Sequence, residues 1–429
     1  MGGFALSILV FIISLILGVP IAICLGLTGM IGIVTLSGVP PEVVAQRMFT
    51  GLDSFPLMCI PFFIMAGEIM NRAKITYRIV DFVNIIFGRF RGALGYANIW
   101  ASTFFGGISG SAAADVAGLG GIFIPVMVED GYDAPFSAAV TAASSIQSPI
   151  IPPSILAVIY GATMGESIGA LFAAGIPIGV FMAVADCVIV YYYAKKNNYP
   201  KKITKVNFKQ FMKIFINSLI PFAMPLIILG GIFTGVFTPT EASAVAVAYA
   251  TFIGFFVLRT LKAKDLYVIF INTAISTGVV FLLLSTANIY SWVINTYQIP
   301  IIIRDFILSV SSNKIVVTLM INIFLLAVGC VMDAGASIIM LAPVLAPVAW
   351  AIGLHPIHFA MIMIVNLCIG LVTPPVGLCL FLSANIAQVS VEKVSRAAFP
   401  FILLSIMVLI LISYWSGLVL FVPKLLGYV

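Results

Sequence analysis

Residues 106–115 read GGISGSAAAD and residues 329–337 read GCVMDAGAS, both inside long apolar stretches. Gly107 pairs with Gly329, Pro125 with Pro347, Gly131 with Gly353, and Pro152-Pro153 with Pro374-Pro375, every pair 222 positions apart. Glycine and proline set backbone shape, so a shared register of these residues implies a duplicated backbone. Hydrophobic segments interrupted by Gly and Pro at matching places in two halves of a membrane chain point to a transport site.

The surrounding composition sets the solvent. Of 429 residues, 62% are hydrophobic and 8% charged, about a third of the charged share of a soluble domain. A bilayer core about 30 Å thick takes roughly 20 apolar residues per helix, and runs of that length recur from residue 4 to residue 421. The run from Phe4 lacks a basic leader and continues too long for a signal peptide, so it reads as a spanning helix. The net charge of +6 sits in loops and is read as the positive-inside bias, with no nucleic-acid partner implied. The densest basic cluster is Lys195, Lys196, Lys201, Lys202, Lys205, Lys209 and Lys213. Six cysteines without CxxC spacing read as small buried hydrophobes. His355 and His358, beside Pro356, read as loop or interface residues.

With that cluster in the cytoplasm, crossings can be counted outwards. Residues 168–194 and 135–163 are two crossings, and residues 92–121 then have cytoplasmic flanks at both ends. A re-entrant hairpin entering from inside follows. Residues 214–237, 240–258 and 267–291 are three more crossings, and residues 313–348 read as a second hairpin, entering from outside. Residues 357–386 cross back and 398–421 exit. Five crossings separate the hairpins, an odd number, so the two units point in opposite directions. The expected fold is an all-α polytopic membrane protein with an inverted repeat, two re-entrant helical hairpins and two broken helices.

Chemistry concentrates at the hairpin tips and breaks. Charged groups within a membrane are functional candidates, which singles out Asp115 and Asp333; both can alternatively cap their own helices. Asp333 stands in register with Ser111, and Asp115 with Ser337. The breaks read SSIQSPIIPPS at 144–154 and GLVTPPVG at 370–377. Prolines there remove backbone donors and free carbonyls. With the hydroxyls of Ser145, Ser148 and Thr373 they offer hard oxygen ligands suited to Na⁺. The candidate Na⁺ set is Gly107, Asp115, Ser145, Ser148, Gly329 and Thr373, arranged as two sites or more. The candidate substrate set is Ser109, Ser111, Asp333 and Ser154. Asp186, Glu68 and Glu166 are weaker intramembrane acids. No GxxxxGK[ST] loop occurs, so transport driven by an ion gradient is expected.

The hairpin GGISGSAAADVAGLG, the break SPIIPPSI, GVFTPTEASAVAVAYA at 235–250 and TPPVGLCLF at 373–381 resemble the large membrane subunit of tripartite ATP-independent periplasmic (TRAP) transporters over essentially the whole chain. The resemblance implies Na⁺-coupled import of an organic acid, a sugar acid such as sialic acid or a C4-dicarboxylate, delivered by a periplasmic binding protein. It implies a bacterial inner-membrane location and a small four-helix membrane subunit, here expected as a separate polypeptide. An elevator mechanism is implied too, with residues 92–194 and 313–398 moving against a scaffold of 1–91, 195–312 and the C-terminal helix 399–429. Ser109, Ser111 and Asp333 match hairpin positions tied to activity in that family. The family pattern carries asparagine where Cys379 stands. No enzymatic role is expected. Two alternatives remain: a carrier independent of a binding protein, and an intramembrane aspartyl protease using Asp115 and Asp333, against which the absence of a GxGD sequence counts.

Overall fold

Gly110, Pro152-Pro153 and Pro374-Pro375 stand where helices stop, while Gly107, Pro125 and Pro347 lie inside them. The computed structural model describes residues 2–36, 39–200, 208–311 and 313–429; Lys201, Lys202 and Lys205 of the basic cluster lie outside the described residues. Every regular element among the described residues is a helix.

The first unit runs from the short helices Gly2–Ile16 and Ile21–Val34 to a bent pair, Glu42–Thr50 and Phe55–Arg72, angled at 64°. An arm helix, Thr76–Phe87, leads into hairpin 1, made of Ala93–Ser109 and Ala112–Glu129. Broken helix 1 follows as Ala134–Ser145 and Ile155–Met164, then the long helix Ile168–Lys196. The second unit repeats the order: Phe208–Phe233, Pro239–Val257, Ala263–Thr296, the arm Ile299–Val310, hairpin 2 as Lys314–Gly329 and Ala334–Ala351, broken helix 2 as Pro356–Gly370 and Leu378–Ala387, and Val391–Tyr414. A terminal helix, Ser416–Leu425, closes the chain.

The duplication is wider than its punctuation marks. Ala112 and Ala334, Glu129 and Ala351, and Ala134 and Pro356 begin or end equivalent helices, each pair 222 positions apart. Both double-proline bonds are cis, and Gly131 and Gly353 share the left-handed conformation at φ +90° and +78°. Five helical crossings separate the hairpins, so the units are inverted as expected. The arms and the scaffold helices before them belong to the repeat as well.

One expectation changes. The run from Phe4 is two helices of 15 and 14 residues, turned at Gly18 (φ +75°) and Pro20. Each is shorter than the roughly 20 residues a perpendicular span needs. Proline removes a helix donor and glycine takes the left-handed turn, and together they override the continuous apolar signal.

The units interlock. Ile21–Val34 packs on Ala263–Thr296, and Pro239–Phe252 packs on Cys59–Arg72, so each unit's second helix lies against the other's long scaffold helix. Among the hairpins and broken helices, Ile155–Met164 packs on the second arm of hairpin 2, and Leu378–Ala387 on Ala134–Ser145 and hairpin 1. Apolar side chains left facing outward, such as Leu226, Tyr267, Ile275 and Phe306, suit a lipid solvent in which burial alone does not drive helix association. His358 is buried rather than in a loop, its Nε2 paired at 2.7 Å with the Ile412 carbonyl. All six cysteines are free.

Candidate functional site

Each hairpin tip is docked on its own unit's break. The first arm of hairpin 1 ends at Gly110, which takes φ +59°; a Cβ there would lie 2.5 Å from the Pro153 carbonyl oxygen. Only glycine fits both constraints. Gly107 packs beside the Pro152 carbonyl. In the second unit Gly370 lies directly on the Gly329 backbone, and Val376 N–H donates to the Cys330 carbonyl at 3.4 Å.

The residues that start the descending arms are caps. Ser111 Oγ accepts from Ala114 N–H at 3.4 Å. Asp333 Oδ1 accepts from Gly335 and Ala336 N–H at 2.9 and 3.2 Å. Caps of this kind satisfy helix N–H groups that have no intrahelical partner. Ser154 caps Ile155–Met164 through Ala157 N–H at 3.0 Å and donates to the Pro149 carbonyl.

Behind tip 1 lies a buried polar cluster. Ser148 Oγ donates to Asp115 Oδ2 at 2.7 Å, and Ser102 Oγ to Asp115 Oδ1 at 3.4 Å. Ser102 also pairs with Ser144 at 3.0 Å. Ser145 donates to the Ala142 carbonyl at 2.7 Å and lies beside Cys379 of the second unit. A second chain runs from Thr103 Oγ1 to Gln147 Oε1 at 2.6 Å, and from Gln147 Nε2 to Asp186 Oδ2 at 2.9 Å. Hydroxyls and carboxylates at this density are hard oxygen donors of the type that hold Na⁺ or Ca²⁺.

The second unit is built differently at the same level. Asn366, in register with Ser144, donates to Asn322 Oδ1 and to the Asn322 carbonyl, both at 3.0 Å. Asn322 donates to Ser413 at 2.9 Å. Asn366 Oδ1 is buried with no partner among the described residues. Thr373 Oγ1 donates to the Ile369 carbonyl at 2.7 Å. Break 2 is exposed at residues 374–376, whereas residues 144–150 of break 1 are buried.

Between the tips and the scaffold helices Phe55–Arg72 and Ala263–Thr296 lies a cavity of about 320 Å³. Of the sequence-derived residues, Ser109, Ser111, Asp333 and the weaker candidate Glu68 line it. Ser154 is fully buried behind it, and Asp115, Ser145 and Ser148 lie in the cluster behind tip 1. Gly107, Gly329 and Thr373 lie at the tip–break contacts. Asp115 and Asp333 share no hydrogen bond and occupy different environments, so the paired carboxylates of an aspartyl protease are not assembled. Sequence reasoning missed Ser102, Ser144, Gln147, Asn322, Asn366, Asn71 and Ser276. Their signal was a polar side chain in an otherwise apolar helix, strongest at Gln147 inside the quoted break.

The family model described as "Tripartite ATP-independent periplasmic transporter, DctM component" matches residues 8–418. The chain is 40% identical to the uncharacterized protein YgiK of Salmonella typhimurium, over 97% of this chain and 96% of that protein. It is 37% identical to the sialic acid TRAP transporter large permease protein SiaM of Vibrio cholerae, over 96% of each. Among solved structures, the YdaH transporter of Alcanivorax borkumensis has the same fold at TM-score 0.58 and 12% identity, covering 89% of this chain and 90% of that one. An inverted helical repeat with tips docked on broken helices, matched along nearly its whole length to large permease proteins, belongs to the DctM component family of tripartite ATP-independent periplasmic transporters.

Proposed function

We propose that the chain imports an organic acid across the bacterial inner membrane, coupled to Na⁺, receiving it from a periplasmic binding protein and working with a separate small membrane subunit. The observation that carries this reading is the cavity bounded by both hairpin tips on one side and by two scaffold helices on the other. A site at the boundary between two interlocked bodies is what alternating access by rigid-body movement requires. Residues 92–194 and 313–398 form the moving body in this reading, and the remainder the scaffold.

Asp115, Ser145 and Ser148, with carbonyls near Gly107, form the first Na⁺ site; carbonyls near Gly329 and the Thr373 hydroxyl form the second. The tips divide the substrate between them. Asp333 already occupies the Gly335 and Ala336 N–H groups, so tip 2 offers a carboxylate to hydroxyl or amine donors. Tip 1 offers the Ser109 and Ser111 hydroxyls and the start of an 18-residue helix, where an anion is favoured. The substrate carboxylate therefore faces tip 1. A sugar acid such as sialic acid, by the name of the SiaM relative, fits this arrangement; a C4-dicarboxylate, by the name of the DctM relatives, is the alternative cargo and would set its second carboxylate against Asp333.

The test is uptake of N-acetylneuraminate or succinate by proteoliposomes holding the chain, its small subunit and the binding protein. Uptake is expected only with an inward Na⁺ gradient and only with the binding protein present. Equal uptake without Na⁺ removes the coupling, and uptake by the chain alone favours a self-sufficient carrier.

A further inference from the structure

The cavity wall contains no Lys, Arg or His among the described residues, although the family carries acids by its relatives' names. Its charged side chains are Asp333 on tip 2 and Glu68 on the scaffold. They are held differently. Asp333 accepts hydrogen bonds from two backbone N–H groups at the start of its helix. The half-buried Glu68 carboxylate has no hydrogen bond or ion pair with any described residue, and its helix neighbours Ile69 and Met70 are fully buried.

The position of Glu68 gives its charge a side. Arg72, one helical turn on, pairs with Asp265 at 3.8 Å, and Thr260 Oγ1 donates to the Ala73 carbonyl at 2.9 Å. These contacts draw Lys74, Arg259, Lys262 and Lys264 to the same end of the scaffold, the cytoplasmic end by the positive-inside rule. Asn71, at that end, lines the cavity with Glu68. The cavity thus extends from the tips toward that end of the scaffold, and in the import reading a scaffold residue faces the tips only while the moving body stands at this level.

We infer that Glu68 is a release residue: an unpaired scaffold carboxylate that weakens anion binding on the cytoplasmic side and drives the substrate off the hairpin tips. This rests on the import reading above. A carboxylate carried down to this level meets a like charge in a cavity with no side-chain cation to offset it, and repulsion is stronger there than in bulk water. On the periplasmic side the same substrate is away from Glu68 and binds without that penalty. Across a cavity of this size a like charge is worth roughly tenfold in affinity.

The experiment uses the purified complex with its small subunit, with the binding protein added for the uptake assays, and two probes, N-acetylneuraminate and succinate. Wild type is first shown to take up one of them with Na⁺; uptake of neither overturns the import reading itself. With the transported probe, Glu68→Gln is expected to bind roughly tenfold more tightly in detergent and to lower kcat and KM together, because release slows. Glu68→Asp, which keeps the charge, restores weak binding. Equal or weaker binding in Glu68→Gln overturns the inference while leaving the import reading standing. So does a fall in thermal midpoint shared by Glu68→Gln and Glu68→Asp, since that marks a structural role.

Discussion

Ser148 donates a 2.7 Å hydrogen bond to Asp115, tying break 1 to the descending arm of hairpin 1 inside a fully buried cluster. A hairpin that is inserted into a membrane without crossing it has no backbone reason to stay there. The bond, with the Ser102–Ser144 contact at 3.0 Å, joins it to broken helix 1.

Ser148→Ala is therefore expected to cost about 1–3 kcal/mol, the range for a buried polar group losing its main partner. Thermal unfolding in detergent measures this. The Na⁺ concentration for half-maximal uptake is expected to rise in the same variant, and more in Asp115→Asn, which keeps the shape but removes the charge. An unchanged Na⁺ dependence in Asp115→Asn would remove Asp115 from the first ion site.

Glycine substitutions separate tip geometry from overall folding. Gly110→Ala meets both a left-handed backbone and the Pro153 carbonyl, so uptake is expected to fall at least tenfold, with a stability loss of about 1–3 kcal/mol. Gly370→Ala drives its methyl into the Gly329 backbone, and there a backbone must move. Gly107→Ala finds its nearest neighbour at 3.4 Å, ordinary contact, and is expected to be the mildest of the three. Ranking uptake and thermal midpoints of the three variants checks the order.

How much of this was legible in the sequence follows from what each residue type controls. Gly110, Pro153 and Pro375 act on their own backbone, so the hairpins, the breaks and the inverted order were readable from spacing and charge. Gly18 and Pro20 carried the same kind of signal inside the first apolar run and were outweighed by hydrophobicity. Side-chain partners were not readable in this way. Thr373 and Ser154 offered hydroxyls on paper, yet those hydroxyls bond the Ile369 and Pro149 carbonyls, a choice made by local helix geometry. Gln147 meets Asp186 39 residues away, and nothing local to either announces the pair. Ser111 against Asp333 was legible because the repeat register placed one opposite the other.

That Gln147–Asp186 pair gives the next expectation. Asp186 is 2% exposed, and the Gln147 amide, itself held by Thr103, is its hydrogen-bond partner. Gln147→Leu strips a buried carboxylate of its hydrogen-bond donor and is expected to destabilise by about 1.5–3 kcal/mol. Adding Asp186→Asn should recover most of that loss, because the uncompensated charge is gone. A double-mutant cycle on thermal midpoints reads the coupling; additive losses would mean that the two side chains act independently.

The last expectation concerns the unlike residues at equivalent tips. Asp333→Ser gives tip 2 the residue found at tip 1. A serine can still cap the helix, so stability should change by less than about 1 kcal/mol. The Gly335 and Ala336 N–H groups, however, would no longer face a carboxylate, and the substrate's hydroxyl or amine end would lose its acceptor. Uptake should fall at least tenfold with KM rising more than kcat falls, the pattern of a lost binding contact. Ser111→Asp is the converse change: it places a second carboxylate where the substrate's own is expected, so uptake should be abolished while the helix stays capped. If Ser111→Asp transports and Asp333→Ser does not lose affinity, the assignment of the substrate carboxylate to tip 1 is reversed. Measuring both in one proteoliposome preparation, with thermal midpoints alongside, separates the binding effect from folding.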